Sequence, residues 1–127
     1  MKKILTFIIV LFTTLSSFSQ KVSIIEVVTA MKAGNAAQVA RFFDANVEIS
    51  MPDKSNSYSK IQAELVLKDF FSNNPVKGFD IIHKGENAGS EYCIGTLVTK
   101  NGSFRTTIFM KQKGDAQLLQ ELRFENR

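Results

Sequence analysis

An α+β fold, with three N-terminal helices packed on one face of a curved, mainly antiparallel sheet, is predicted by three features of the chain. Three segments with helical apolar spacing fall before Pro75, each opened by a capping signal. From Phe79 onward the spacing drops to two, interrupted roughly every ten residues by turn chemistry. Helices gathered ahead of hairpin-linked strands sort into separate layers.

Residues 1–19 stand apart. Met1-Lys2-Lys3 is basic, Ile4 to Leu15 is apolar apart from Thr6, Thr13 and Thr14, and Ser17-Phe18-Ser19 puts small residues ahead of a cut before Gln20. That is the pattern of a cleavable secretory signal peptide. The apolar run falls several residues short of the about 20 that a transmembrane helix needs. The expected product is a periplasmic or secreted domain, residues 20–127, with no membrane span after cleavage.

Removing Lys2 and Lys3 from 16 basic residues leaves 14 against 12 acidic ones, a net charge of +2. The basic residues are scattered, without a block or an aromatic platform, so nucleic acid is not an expected partner. The single Cys93 cannot form an internal disulfide. With no Trp and 11 Phe, the core is expected to be built from Phe and branched aliphatics.

Ser23-Ile24-Ile25-Glu26 has the form of a capping box. Ile24, Val27, Val28 and Met31 then form one helical stripe that Gly34 terminates. Asn35-Ala36-Ala37-Gln38 opens a short second helix with Val39, Phe42 and Phe43 inward. Val47, Ile49 and Met51 alternate with polar residues as a strand that Pro52 ends, and Asp53 to Ser57 is expected to be a loop. Ser59-Lys60-Ile61-Gln62 opens the long third helix. Its buried stripe is Ala63, Val66, Leu67 and Phe70, widened by Ile61, Leu65 and Phe71, and Asn73-Asn74-Pro75 stops it. Four strands follow, with inner faces predicted at Phe79, Ile81 and His83; at Tyr92, Ile94, Thr96 and Val98; at Phe104, Thr106, Ile108 and Met110; and at Leu118, Gln120, Leu122 and Phe124. Asn101-Gly102 supplies the central hairpin turn.

The stretch Met31-Lys32-Ala33-Gly34-Asn35-Ala36-Ala37 through Phe42-Phe43-Asp44-Ala45-Asn46-Val47-Glu48 resembles the opening of the nuclear transport factor 2-like superfamily. That superfamily includes ketosteroid isomerase and scytalone dehydratase. Met51-Pro52-Asp53, Tyr58-Ser59, Phe70-Phe71 and the strand ending His83-Lys84-Gly85 more narrowly resemble an exported family of Bacteroidota, domain of unknown function 4783. The resemblance covers essentially all of the mature chain and implies a strongly curved, cystatin-like cone. It places Ile49 where the isomerase-like enzymes carry a general-base carboxylate, and Val27 near their oxyanion-stabilising Tyr. Neither side chain can move a proton or donate a hydrogen bond.

His83, the only histidine, shares its predicted face with Phe79 and Ile81 and reads as a strand-end residue or a ligand anchor at the cavity mouth. Without a second His or a Cys cluster, neither a metal site nor a cofactor is expected. Tyr58 and Tyr92 could each offer a hydroxyl to an apolar pocket. Thr96, Thr106 and Gln120 are polar residues on apolar strand faces. These six, Tyr58, His83, Tyr92, Thr96, Thr106 and Gln120, are the expected ligand-binding set, and no catalytic residue is assigned. Cys93 reads as a small filler that alternates away from Tyr92. Arg105, Lys111, Glu121 and Arg123, with Phe109 among them, read as an outer sheet surface that is solvated or faces a dimer partner. The reading is a non-catalytic exported domain that holds a small apolar ligand or a protein partner and forms a homodimer through its sheet. The alternative is an isomerase or dehydratase using Asp53, Asp80 or His83.

Overall fold

The structure, a computed structural model, describes residues 23–127. The signal-peptide reading and the capping role of the Ser23 side chain lie outside the described residues. Helix α1 (Ser23–Lys32) ends in a Schellman motif: Asn35 N donates to Ala30 O at 3.0 Å, Gly34 N donates to Met31 O at 3.0 Å, and Gly34 has φ +63°. Asn35 then caps α2 (Ala36–Ala40), its Oδ1 accepting from Gln38 N at 3.1 Å. Strand β1 (Phe43–Met51) turns at Pro52-Asp53 into β2 (Lys54–Ser59). Ser59 caps α3 (Lys60–Asn73), its Oγ accepting from Gln62 N at 3.3 Å, and the long strands β3 (Val76–Asn87), β4 (Ser90–Thr99), β5 (Gly102–Lys113) and β6 (Ala116–Asn126) follow.

The six strands form one mixed sheet in the order β2-β1-β6-β5-β4-β3. β1 runs parallel to β6, the other neighbours are antiparallel, and β2 and β3 are open edges, so the sheet is not closed. α1 packs on β3 and β4, α3 packs on β1 and β2, and α2 touches both of these helices. The core between the layers holds Val27, Met31, Val47, Ile49, Leu67, Leu97, Ile108, Met110, Leu119, Leu122 and Phe124. Among the described residues no helix is long and apolar enough to cross a membrane.

Several expectations need correction. The helices are not all N-terminal to the sheet, because the β1–β2 hairpin precedes α3. Residues 54–59, expected mainly as loop, form β2, an edge strand whose polar side chains need no buried face because only Tyr58 turns partly inward. Ile61 and Leu65 are 76% and 60% exposed, since α3 buries one face only, through Ala63, Leu67, Phe70 and Phe71.

The phase of β4 is the reverse of the expected one. Cys93, Gly95 and Leu97 face the core, while Tyr92, Ile94, Thr96 and Val98 lie half-buried on the outer face. In β3 a bulge between Ile81 and His83 turns His83 outward and leaves Ile81 exposed. In β6 a register shift beside Gln120 puts Leu119 inward where Leu118 and Gln120 were expected. The β4–β5 turn is centred on Lys100-Asn101, and Gly102, at φ +128°, begins β5.

Candidate functional site

The interior that would be a catalytic or ligand cavity is occupied by packed side chains. Val27 and Ile49 are 0% and 1% exposed, so the positions that the resemblance assigns to proton chemistry are apolar core. Phe70 of α3 stacks on Phe124 with centroids 4.4 Å apart and meets Phe104 edge-on at 5.2 Å. The one expected ligand residue within this interior, Thr106, is fully buried, and its hydroxyl donates to Phe104 O at 3.2 Å.

The other five do not converge. Tyr58 lies half-buried on β2 opposite Val47, its hydroxyl accepting from Asn56 Nδ2 at 3.4 Å. Gln120 donates to Asp44 Oδ2 at 3.0 Å, at the β1–β6 junction. Thr96 is on the outer face, paired with Asp80 and Arg105. Only His83 and Tyr92 meet: the ring Nε2 and the phenol oxygen are 2.8 Å apart across the outer side of β3 and β4. Gly85 makes room for this pair, because a Cβ there would fall 2.6 Å from the Tyr92 ring. His83 and Cys93 lie on opposite faces, which rules out a shared nucleophile. Burial pushes the Cys93 thiol above its ordinary value, with Lys84 partly opposing the shift.

Sequence reasoning missed one polar cluster. Lys113 Nζ sits 2.7 Å from Asp44 Oδ2, which Gln120 also reaches, while Asp44 Oδ1 accepts from Ala45 N at 2.7 Å. The Lys113 contact, helped by the Ala45 amide and Gln120 and opposed by partial burial, lowers the Asp44 carboxyl below the usual carboxylate range. These groups pin the start of β1 to the β5–β6 turn. Nothing in their sequence spacing signals the meeting. Among the described residues, no group of three or more His, Cys, Asp or Glu is placed to hold a metal.

The outer sheet face is the most coherent surface. Ile94 pairs with Thr107, Tyr92 with Phe109 and Thr96 with Arg105, all neighbours on β4 and β5. Ile94, Val98 and Phe109 are half-buried on the face opposite the one that the described helices cover. Across β6, Arg105 pairs with Glu125, Thr107 with Arg123 and Phe109 with Glu121, and Arg123 Nη2 bridges Glu121 Oε2 at 3.0 Å. An apolar strip thus lies beside charges of both signs. Elsewhere, a groove of about 790 Å³ opens between α1 and α2, over Ile25, Ala30 and Phe42, with Thr29, Gln38 and Arg41 at its rim.

The family model described as "Domain of unknown function (DUF4783)" matches residues 24–125. The chain belongs to the DUF4783 family. The crystal structure of a DUF4783 family protein from Bacteroides fragilis is 34% identical, covers 81% of this chain and 97% of its own, and superposes with a TM-score of 0.77. A DUF4783 family protein from Bacteroides ovatus is 30% identical over 80% of this chain and 93% of its own, with a TM-score of 0.78. An NTF2-like protein of unknown function from Cytophaga hutchinsonii, 8% identical, shares the fold alone. It aligns over 87% of this chain and 91% of its own, with a TM-score of 0.62. This DUF4783 domain therefore has the nuclear transport factor 2-like fold. No curated protein sequence matches it.

Proposed function

We propose that this DUF4783 domain is an exported, non-catalytic interaction module that associates with a second copy of itself through the outer face of its sheet. The observation that carries the reading is the half-buried strip of Ile94, Val98 and Phe109, flanked by Arg105, Arg123, Glu121 and Glu125. A two-fold contact requires a surface complementary to itself, and adjacent charges of both signs beside an apolar centre meet that requirement. Tyr, Phe and Arg are also the residue types enriched at such contacts. The packed aromatic interior weighs against a ligand held inside the domain, and the apolar Val27 and Ile49 weigh against isomerase chemistry. Asp53, Asp80 and His83, the acids and base of the enzymatic alternative, are all exposed, where solvent surrounds them. The second reading, a small apolar ligand, draws its support from the α1–α2 groove over Ile25, Ala30 and Phe42.

Sedimentation velocity across a concentration series tests the interaction reading. The expected result is a dimer for the wild type and a folded monomer for Phe109→Glu and for Ile94→Lys. A wild type that stays monomeric at the highest concentration overturns it.

A further inference from the structure

We propose that Asn101-Gly102 is a spontaneous deamidation site whose reaction releases the β4–β5 hairpin from the C-terminus of α3, a modification site independent of the interaction reading above. The last carbonyls of a helix have no partner within the helix. In α3 the Phe70 carbonyl accepts from Asn74 N at 2.9 Å and from Asn74 Nδ2 at 3.0 Å. The Asn73 carbonyl is instead satisfied from 28 residues away, by the Nδ2 of Asn101. Lys100 N donates to Pro75 O at 2.9 Å beside it, so the turn is fastened to the helix end by one backbone and one side-chain bond. Asn101 is a cap delivered by a different element.

That cap is followed by the residue that least protects it. Asn101 and Gly102 are both exposed, and a Cβ added at Gly102 would meet nothing within 4 Å. Glycine puts no side chain of its own between its amide and the Asn101 side chain. No other Asn in the chain precedes a Gly. The Gly102 nitrogen, on losing its proton, attacks Asn101 Cγ; the new C–N bond closes a succinimide as the side-chain nitrogen leaves with protons from solvent as ammonia. Water then opens the ring at either carbonyl, giving aspartate or isoaspartate.

Either product undoes the cap. The donating amide becomes a carboxylate that faces the Asn73 carbonyl, at the end of the helix dipole that disfavours negative charge. Isoaspartate also adds a carbon to the main chain inside the turn that sets the Thr99 to Gly102 pairing. Thr99 Oγ1 accepts from Asn101 N at 3.2 Å and donates to Gly102 O at 2.7 Å, so ring closure requires this ordered turn to open.

The test is incubation of the purified protein at 37 °C and mildly alkaline pH, about pH 8, followed by peptide mapping that separates Asn, Asp and isoaspartate, with thermal melting of fresh and aged samples. Conversion is expected to concentrate at residue 101, and the aged protein to melt roughly 5 °C lower than the fresh. Freshly made Asn101→Asp should melt below Asn101→Ala, which loses the donor without adding charge. Residue 101 remaining Asn while other asparagines convert would overturn the proposal. So would complete conversion with an unchanged melting temperature, or Asn101→Asp melting at or above Asn101→Ala.

Discussion

At Gly95 of β4 the Phe79 ring and Asp80 backbone of β3 leave no room for a Cβ, and replacing it with Ala should be among the most damaging single-methyl additions in the domain. Gly95 is buried, pairs with Ile81 and Thr106 on its two sides, and lies in the inward phase of β4. A Cβ there would lie 2.5 Å from Phe79 Cζ, 2.7 Å from Phe79 Cε2 and 2.7 Å from the Asp80 carbonyl oxygen. Ordinary contacts begin about 1 Å further out. The Phe79 ring is itself buried and cannot swing into solvent, and the Asp80 oxygen belongs to the backbone of the paired strand. Relief must come from moving β3, which overpacking precedents place at about 1–3 kcal/mol. Urea denaturation of Gly95→Ala should show a lower midpoint with an unchanged slope, so that the loss is one of stability. Phe79→Leu in the Gly95→Ala background should recover only part of it, because the Asp80 oxygen stays in place, and a double-mutant cycle measures that coupling. Wild-type stability for Gly95→Ala would refute the close approach of β3 to β4 and the inward phase of Gly95.

The remaining predictions test other parts of the same structure. Gly85→Ala meets only the far end of the Tyr92 side chain, at 2.6 Å, so it should cost less than about 1 kcal/mol while breaking the His83–Tyr92 contact, readable as a changed Tyr fluorescence. Cys93 should not react with a thiol reagent in the native protein and should react fully in denaturant, because its sulfur is buried and its pKa is raised. The Asp44 carboxyl has a folded pKa below its unfolded one, so its stabilisation is fully present above the ordinary carboxylate range and is lost as pH falls through the lowered folded value. Asp44→Asn should therefore flatten the acid side of the stability profile, and an unchanged acid limb would contradict the Lys113 contact. Phe70→Ala should destabilise by about 3–5 kcal/mol in denaturant titration, since it empties the stack on Phe104 and Phe124.

Local signals in the sequence carried most of the architecture. The Asn35 and Ser59 caps hold as read, and Gly34 closes α1 through the conformation that its lack of a Cβ permits. What failed was mostly phase. On β4, Tyr92, Ile94 and Val98 are as apolar as Cys93 and Leu97, so alternation of hydrophobicity does not say which set faces inward. The hairpin does say it: a two-residue loop opposes the even-numbered residues of β5 to odd-numbered residues of β4, and Thr106, Ile108 and Met110 were already assigned inward. The bulges in β3 and β6 leave no such trace, because an extra residue changes the phase without changing composition. β2 escaped because Ser and Asn signal turns as readily as they tolerate an exposed edge. The expected ligand set dispersed for the same reasons, since Tyr92, Thr96 and His83 face outward while Thr106 faces inward. The Asp44, Lys113 and Gln120 cluster depends on the parallel pairing of β1 with β6, a long-range contact that no local pattern encodes.

Native mass spectrometry of the purified domain, with the masses of the intact and denatured species compared, tests the interaction reading most directly. The account predicts twice the mass of one chain, no small-molecule adduct, and loss of the dimer on Phe109→Glu. A monomer carrying a non-covalent adduct that is released on denaturation would contradict it and would move the function to the α1–α2 groove.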